Sequence, residues 1–437
     1  MRRYVVIGAG VAGIAASEAI HNHDPGAEIL MISEESFGYY SRPGLAYLIT
    51  GEIGEKLLFP YSKQDYQNFN IHLVNSRVEK IHPQSHQVEL YDGVMVPYDR
   101  LLIATGSFAA ASRVPGSMLE GVVKLDNLGD ARQILKLACK ARCAVVVGGG
   151  ITALELVEGL RARGLKTHYF LRKDRYWRNV LDPTESGILE QRLKEEGVII
   201  HYHTELGEII GKNGRVTAVK TTDGRVIRCG LVAVAIGVLP RTELARSAGL
   251  RLDRGILVDE CMQTGQPDIF AAGDVAQVYD PLTGSSVLDT LWGPAREQGY
   301  VAGSNMAGMK TNYDRSVAFN VTRLAGLTTT IIGSVGKGED DDLLGIARGD
   351  SETWRQLPDA IAAQNNFEFN RLRLLVGQET LLGGVVMGDQ TLSRPIQDLV
   401  SHQVDIRPYP SRLLEPSPPL SDLIVDIWMD WRRSHDQ

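Results

Sequence analysis

Through about residue 240, short unbroken apolar runs alternate with longer stretches of helical period. Tyr4 to Ile7 and Ala144 to Val147 read as strands buried on both faces, and each passes through a glycine cluster into a helical pattern. Between the clusters lie the strand-like stretches IHLVNSRVEKI, HQVEL and DRLLIATG, and after the second come VIIHYH, VTAVKTTDG and LVAVAIG. The halves therefore share one order: glycine turn, helix, strand, β-meander, and a strand finishing in glycine. Such repetition predicts an α/β fold in which one doubly wound unit is used twice. From about Asn320 the pattern changes. TTTIIGSVG, FEFNRLRLLVG and TLLGGVVMGD read as antiparallel strands and LSRPIQDLVSHQV as a helix, which predicts a C-terminal α+β domain. GEDDD (338–342) reads as a solvated loop, and YPSRLLEPSPPL as a semi-rigid linker. Ser421-Asp422 is the expected N-cap of a last helix, LIVDIWMDWRR, with Leu423, Ile427 and Trp431 on one face and Ile424 and Trp428 beside them. That stripe is expected to pack on the parent protein or on a second subunit. A membrane-surface role is disfavoured by Asp422, Asp426 and Asp430.

Composition narrows the class without naming a function. A chain of 437 residues is too long for one ordinary core, so two or three domains are expected. A net charge of -7 gives no footprint for nucleic-acid binding. No run reaches the roughly eighteen apolar residues of a membrane span, and Met1 leads straight into a strand, so the expected compartment is the cytoplasm. Cys139, Cys143, Cys229 and Cys261 are too scattered for a disulfide framework. Cys139 and Cys143 are expected on one helix face as core residues, and no metal site is expected.

The glycines carry the candidate chemistry. Gly8, Gly10 and Gly13 follow strand and precede helix, a spacing that gives a tight turn, a close approach to a pyrophosphate and close helix packing. The helix N-terminus then faces the negative charge. Glu34, about twenty residues on at the end of the next strand, suits an unphosphorylated ribose. Gly148, Gly150 and Ala153 repeat the turn about 140 residues later, which predicts a second, Rossmann-like dinucleotide site. Where the strand THYFL ends, the chain supplies Arg172, Lys173, Arg175 and Arg178 in place of an acid. Arginines pair with a 2′-phosphate, so this site favours NADPH over NADH; the alternative is a solvated basic face beside a helix end.

With these residues in place, the chain resembles the FAD/NAD(P)-dependent pyridine nucleotide-disulfide oxidoreductase superfamily, with its two glutathione-reductase-type dinucleotide-binding domains. Within it the likeness is to ferredoxin and rubredoxin reductases and to the FAD/NAD(P)-binding part of nitrite reductases, over roughly residues 1 to 407. Gly8, Gly10, Gly13 and Glu34 match its FAD fingerprint, Ala104-Thr105-Gly106 its A-T-G segment, and Gly148, Gly150 and Ala153 its NAD(P) turn. TGQPDIFAAGDVAQ, with Gly273 and Asp274, resembles the second FAD motif, in which the aspartate holds the ribityl chain. Trp292, Ala295, Gln298, Gly299 and Ala302 resemble the stretch whose helix faces the flavin pyrimidine. Trp292 is implied either to cover the flavin or to fill the core. Val78 and Gly237 are further expected cofactor-binding positions, and Arg42 is implied to reach the FAD diphosphate. LRKDRYWR resembles an NADPH-linked pattern whose two arginines fall on Arg172 and Arg178, with Leu171 where NADH-linked relatives have glutamate.

The departures decide the chemistry. Where disulfide-reducing and peroxide-reducing relatives carry a cysteine, this chain has Pro43 in Pro43-Gly44-Leu45-Ala46-Tyr47, so thiol chemistry there is not expected. In ferredoxin reductases a lysine from this segment pairs with a glutamate beside the flavin. Glu155 stands at the glutamate's position and Tyr47 at the lysine's, so Glu155 and Tyr47 are the expected catalytic pair, with Glu155 positioning the nicotinamide. A phenol cannot neutralise a carboxylate, which leaves Glu155 with a raised pKa or another partner. The resemblance implies a flavoprotein in which NADPH, or else NADH, reduces FAD and electrons leave for an acceptor outside the chain: a small electron-carrier protein, a quinone or a small oxidant. The alternatives are an NAD(P)H oxidase using dioxygen and a flavin-bearing binding protein with little turnover. The expected domains are 1–110 with 240–318 for FAD, 111–239 for NAD(P)H, 319–407 as an α+β interface domain that supports a homodimer, and 408–437 as linker and tail helix.

Overall fold

The structure is a computed structural model that describes residues 2–281, 284–315, 317–335, 361–366 (backbone), 371–409 and 419–435. The GEDDD loop, residues 367–370 and nearly all of the proline-rich stretch lie outside the described residues. The chain forms two compact units, one of residues 1–110, 126–133 and 238–315, the other of 111–125, 134–237 and 316–437.

Unit 1 is built on a five-stranded parallel sheet in the order Ile269–Ala271, Arg100–Ile103, Arg3–Ile7, Glu28–Ser33, Ile71–Asn75. Every side chain from Tyr4 to Ile7 is buried, as the uninterrupted apolar run requires of a strand covered on both faces. Helix Val11–His23 packs against helix Trp292–Met306 through glycines. A Cβ on Gly299 would stand 2.2 Å from the Ala12 carbonyl oxygen, and one on Gly303 2.3 Å from that of Ala16. Only hydrogen at these two positions lets the backbones meet. IHLVNSRVEKI is not one strand. Ile71–Asn75 extends the parallel sheet, whereas Val78–His82 opens an antiparallel meander with Gln87–Leu90 and Met95–Pro97. The change falls at Ser76-Arg77, where the Ser76 amide still donates to Ser33 but the Arg77 carbonyl accepts from Tyr91.

Unit 2 repeats the parallel sheet in the order Ile199–His201, Lys166–Phe170, Cys143–Val147, Leu231–Val234, Val122–Val123, with a meander of Leu206–Lys212, Arg215–Thr221 and Val226–Arg228. Its C-terminal part is an antiparallel sheet in the order Phe319–Leu324, Leu327–Gly333, Leu381–Met387, Arg371–Val376, Ile361–Asn366. Helices Ser393–Ser401 and Leu420–His435 share a core with it, in which Leu423, Ile424 and Ile427 meet Leu374, Ile396 and Leu399. The tail stripe thus packs on its own chain. Two local expectations are corrected. The last helix starts at Leu420, before Ser421-Asp422, because the amides of Asp422 and Leu423 already donate to the Pro419 carbonyl. Cys139 and Cys143 do not share a helix: Leu128–Ala138 ends before Cys139, the chain turns through Lys140 and Ala141, and Cys143 opens a strand. Among the described residues no helix is long and apolar enough to cross a membrane.

Candidate nucleotide sites

In the first glycine turn two of the three glycines have a steric reason. Gly8 has φ +113°, and a Cβ there would lie 2.2 Å from the Ala104 carbonyl oxygen; one on Gly13 would lie 2.1 Å from that of Gly8. Around Gly10 no atom stands within 4 Å of the Cβ position. Gly10 is also the N-cap of helix Val11–His23, and no side chain caps it. The turn therefore presents open space against uncapped helix N–H groups, which fits the diphosphate of a dinucleotide such as FAD. Glu34, one residue past strand Glu28–Ser33, is largely exposed and approaches Arg77 at 3.6 Å.

The neighbouring strands end at the same edge. Ala104 follows Ile103, and its amide donates to Ile7 at 2.9 Å. Thr105 Oγ1 donates to the Arg241 carbonyl at 3.1 Å, and Gly106, at φ +67°, has nothing within 4 Å of its Cβ position. Gly273, at φ +79°, donates its amide to Gln298 Oε1 at 2.9 Å. Asp274 Oδ2 accepts from Ser107 Oγ at 2.6 Å. The carboxyl edge of one parallel sheet thus gathers Gly8, Gly10, Gly13, Ala104, Thr105, Gly106, Gly273 and Asp274, where open α/β sheets bind ligands. Ser107 escaped the sequence reading, although its place directly after the A-T-G segment was available as a signal.

The remaining unit 1 positions divide. Arg42 donates from Nη2 to Glu35 Oε1 and from Nη1 to the Asp126 carbonyl, both at 2.6 Å. Asp126, buried, also accepts from Arg241 Nη2 at 3.1 Å, and Tyr40 donates to Glu35 Oε2 at 2.6 Å. Burial and the Glu35 carboxylate push the Tyr40 phenol up. Glu35 and Asp126 were missed, because nothing in the spacing ties residue 126 to residue 42. Trp292 opens helix Trp292–Met306 half-exposed, with Nε1 3.4 Å from the Tyr39 hydroxyl. Tyr47 sits in helix Gly44–Thr50 with a part-exposed ring. Val78 is a buried core residue at the start of the meander.

The second turn repeats the first bond for bond. Gly148, at φ +145°, would place a Cβ 2.0 Å from the Ala235 carbonyl oxygen and 3.0 Å from the Cβ of buried Ala153. Gly150 is the N-cap of helix Ile151–Ala162, again without a side-chain cap. The Gly8 amide donates to Ile32, the partner of Ile7; the Gly148 amide donates to Phe170, the partner of Val147. Ala104 donates to Ile7 as Ala235 does to Val147, so Ala235-Ile236-Gly237 answers Ala104-Thr105-Gly106, with Gly237 at φ +108°. Counting two residues on from Ile32 and from Phe170 puts Arg172 at the register position that Glu34 holds in unit 1. Within the basic run, Asp174 lies 3.0 Å from Arg175 Nη1 and 3.7 Å from Arg178 Nη1. The run therefore contains one carboxylate that the count of cations overlooked. Glu155 is half-buried on helix Ile151–Ala162. One turn further on, burial raises the Glu158 carboxyl to about 7. Among the described residues no group of three or more candidate ligands gathers as a metal site.

Comparison with known proteins identifies the family. Residues 2–299 match the pyridine nucleotide-disulphide oxidoreductase family. The chain is 32% identical over 322 residues to an NADH oxidase of Methanocaldococcus jannaschii, covering 71% of each chain. It is 31% identical over 310 residues to a rubredoxin-NAD(+) reductase of Ectopseudomonas oleovorans, covering 70% of this chain and 80% of that one. A ferredoxin reductase from Rhodopseudomonas palustris shares the fold with a TM-score of 0.85 at 22% identity, over 97% of this chain and 100% of its own. FAD and NAD(P)H are the cofactors that go with this family. The chain belongs to the pyridine nucleotide-disulphide oxidoreductase family and is an FAD-dependent NAD(P)H oxidoreductase.

Proposed function

We propose that unit 1 holds FAD, that the second glycine turn holds NADPH in preference to NADH, and that electrons leave for a small carrier protein of the ferredoxin or rubredoxin kind. When bound, FAD supplies hydride acceptance and the release of electrons to the carrier. The backbone of Gly8 to Gly13 binds its diphosphate, Glu34 accepts from the adenosine ribose, and Asp274 accepts from the polyol chain. Ser107 fixes one Asp274 oxygen at 2.6 Å and leaves the other free to turn to the ligand. Glu155 positions the nicotinamide, and Tyr47 is the second proposed catalytic residue. The observation that carries the NADPH preference is the register that sets Arg172 where unit 1 has Glu34. Arg172 and Arg178 pair with the 2′-phosphate, a geometry that a carboxylate at the same place would repel. The two relatives are named for NADH and NAD(+), so this preference is the sharper part of the proposal.

The test is direct. Purified protein is yellow, NADPH gives a higher kcat/KM than NADH with an artificial acceptor, and Arg172→Glu reverses the order. Strong preference for NADH in the wild type contradicts the coenzyme assignment. An oxidase is the second reading, favoured by the NADH oxidase relative, and oxygen consumption without a carrier supports it. The proposal extends to a cytoplasmic location, which suits four cysteines that are all free, and to a homodimer through the C-terminal sheet. Light scattering that gives a monomer mass removes the dimer.

A further inference from the structure

The basic segment 171–182 mixes fully buried residues with partly exposed ones. Leu171, Tyr176, Trp177, Val180 and Leu181 are buried, whereas Arg172, Arg175 and Arg178 are only half-buried. Its start is tied to the sheet, where the Leu171 amide donates to His201 at 2.9 Å and the Lys173 carbonyl accepts from His203 at 3.1 Å. Its middle is tied to helix Pro183–Glu195: the Tyr176 amide donates to Glu190 Oε1 and the Tyr176 carbonyl accepts from Ser186 Oγ, both at 2.7 Å. Glu190, buried, is itself fixed by the Tyr202 hydroxyl at 2.5 Å. The end is tied to the C-terminal sheet of the same unit. Buried Arg373 donates Nη2 to the Val180 carbonyl at 2.7 Å, Nε to Glu185 Oε1 at 2.8 Å and Nη1 to the Val335 carbonyl. Between these ties Trp177 is held at φ +45°, a region that bulky residues avoid. Such a turn persists only where its surroundings over-determine it. Here the indole is buried, whereas the next side chain, Arg178, stays partly exposed, 3.7 Å from Asp174.

We infer that Arg373 and Glu190 are positioning residues for the 2′-phosphate of the coenzyme: from beneath the loop they hold the strained Trp177 turn that aims Arg178 and supports Arg172. The inference rests on the NADPH assignment above and deepens it. Neither residue is assigned a contact with coenzyme. They act by fixing where the cations stand, and a displacement of about 1 Å in such a group costs on the order of a hundredfold. NADH lacks the 2′-phosphate, so its use does not depend on the clamp.

The experiment compares NADPH and NADH kinetics of the full-length, flavin-loaded protein in wild type, Arg172→Glu, Glu190→Gln and Arg373→Lys. The last two keep the size of the buried group while weakening its bonds. Expected is a rise of about tenfold or more in KM for NADPH in both clamp variants, with kcat for either coenzyme and KM for NADH within about twofold of wild type. If Arg172→Glu abolishes the NADPH preference while the clamp variants keep it, the clamp is overturned and the coenzyme assignment stands. If wild type and Arg172→Glu show the same ratio, the coenzyme assignment fails and the clamp's role in 2′-phosphate selection falls with it. If a clamp variant loses flavin or NADH turnover, hydrogen exchange decides on Tyr202→Phe, which keeps Glu190 and removes only the hydroxyl that fixes it. Faster exchange confined to 171–182 together with a raised NADPH KM supports the inference, and an unchanged NADPH KM overturns it.

Discussion

At the scale of single residues, the glycines of one turn are predicted to fail differently. Gly8→Ala places its methyl against the Ala104 carbonyl at φ +113° and should destabilise unit 1 by about 2–4 kcal/mol, seen as a lower denaturant midpoint. Gly10→Ala meets no protein atom within 4 Å, so the flavin-free protein should keep its stability while FAD affinity falls about tenfold or more. Titration of the deflavinated protein with FAD checks it, and wild-type affinity in Gly10→Ala would remove the diphosphate from this turn. Spacing made Gly8, Gly10, Gly13, Gly148 and Gly150 legible in the sequence, because a tight turn under a helix admits few residue types. The Asp274–Ser107 bond was not legible: the partners are 167 residues apart and meet only because the strands that precede them, Ile269–Ala271 and Arg100–Ile103, are neighbours in the sheet. Asp174 was in plain view, but counting cations hid the one carboxylate that contacts two of them.

At the scale of elements, close contacts between secondary structures set the sensitivities. Gly299→Val would drive a branched side chain into Ala12 and should prise helix Trp292–Met306 from helix Val11–His23. Expected is loss of several kcal/mol in chemical unfolding together with release of flavin. A second case is the hairpin turn at Ala325-Gly326, gripped from both sides: Glu158 accepts the Gly326 amide at 3.1 Å and Arg192 Nε donates to the Ala325 carbonyl at 2.7 Å. Burial raises the Glu158 carboxyl to about 7, so the folded state binds this proton more tightly than the unfolded chain. Its stabilising contribution is therefore complete below the ordinary carboxyl range and is lost as pH rises through about 7. Glu158→Gln should flatten the fall in melting temperature between about pH 5 and pH 8, and an unchanged profile would contradict the assignment. The sequence showed helices and strands as elements but not always their ends. The run IHLVNSRVEKI looked continuous because alternation survives the corner at Ser76-Arg77, and Cys139 and Cys143 kept helical spacing across a helix end.

At the scale of the whole molecule, the α/β repeat and the α+β C-terminal part were legible because the order of apolar runs is itself repeated. The tail's destination was half legible: an apolar stripe must be covered, but only the three-dimensional structure shows that its own sheet and helix Ser393–Ser401 cover it. Leu423, Ile424 and Ile427 are all but inaccessible, and burying each is worth about 1.5–3 kcal/mol. Ending the chain before residue 419 should therefore lower the unfolding midpoint and promote aggregation, read by calorimetry and light scattering. A truncated protein of unchanged stability would assign the tail to some other partner. The central claim concerns electron flow, and one measurement addresses it most directly: anaerobic mixing of the purified flavin-loaded protein with NADPH or NADH in a stopped-flow instrument. The oxidised-flavin band should bleach faster than steady-state turnover, more readily with NADPH than with NADH. A flavin left oxidised by both, or a colourless protein that FAD does not restore, would contradict the account.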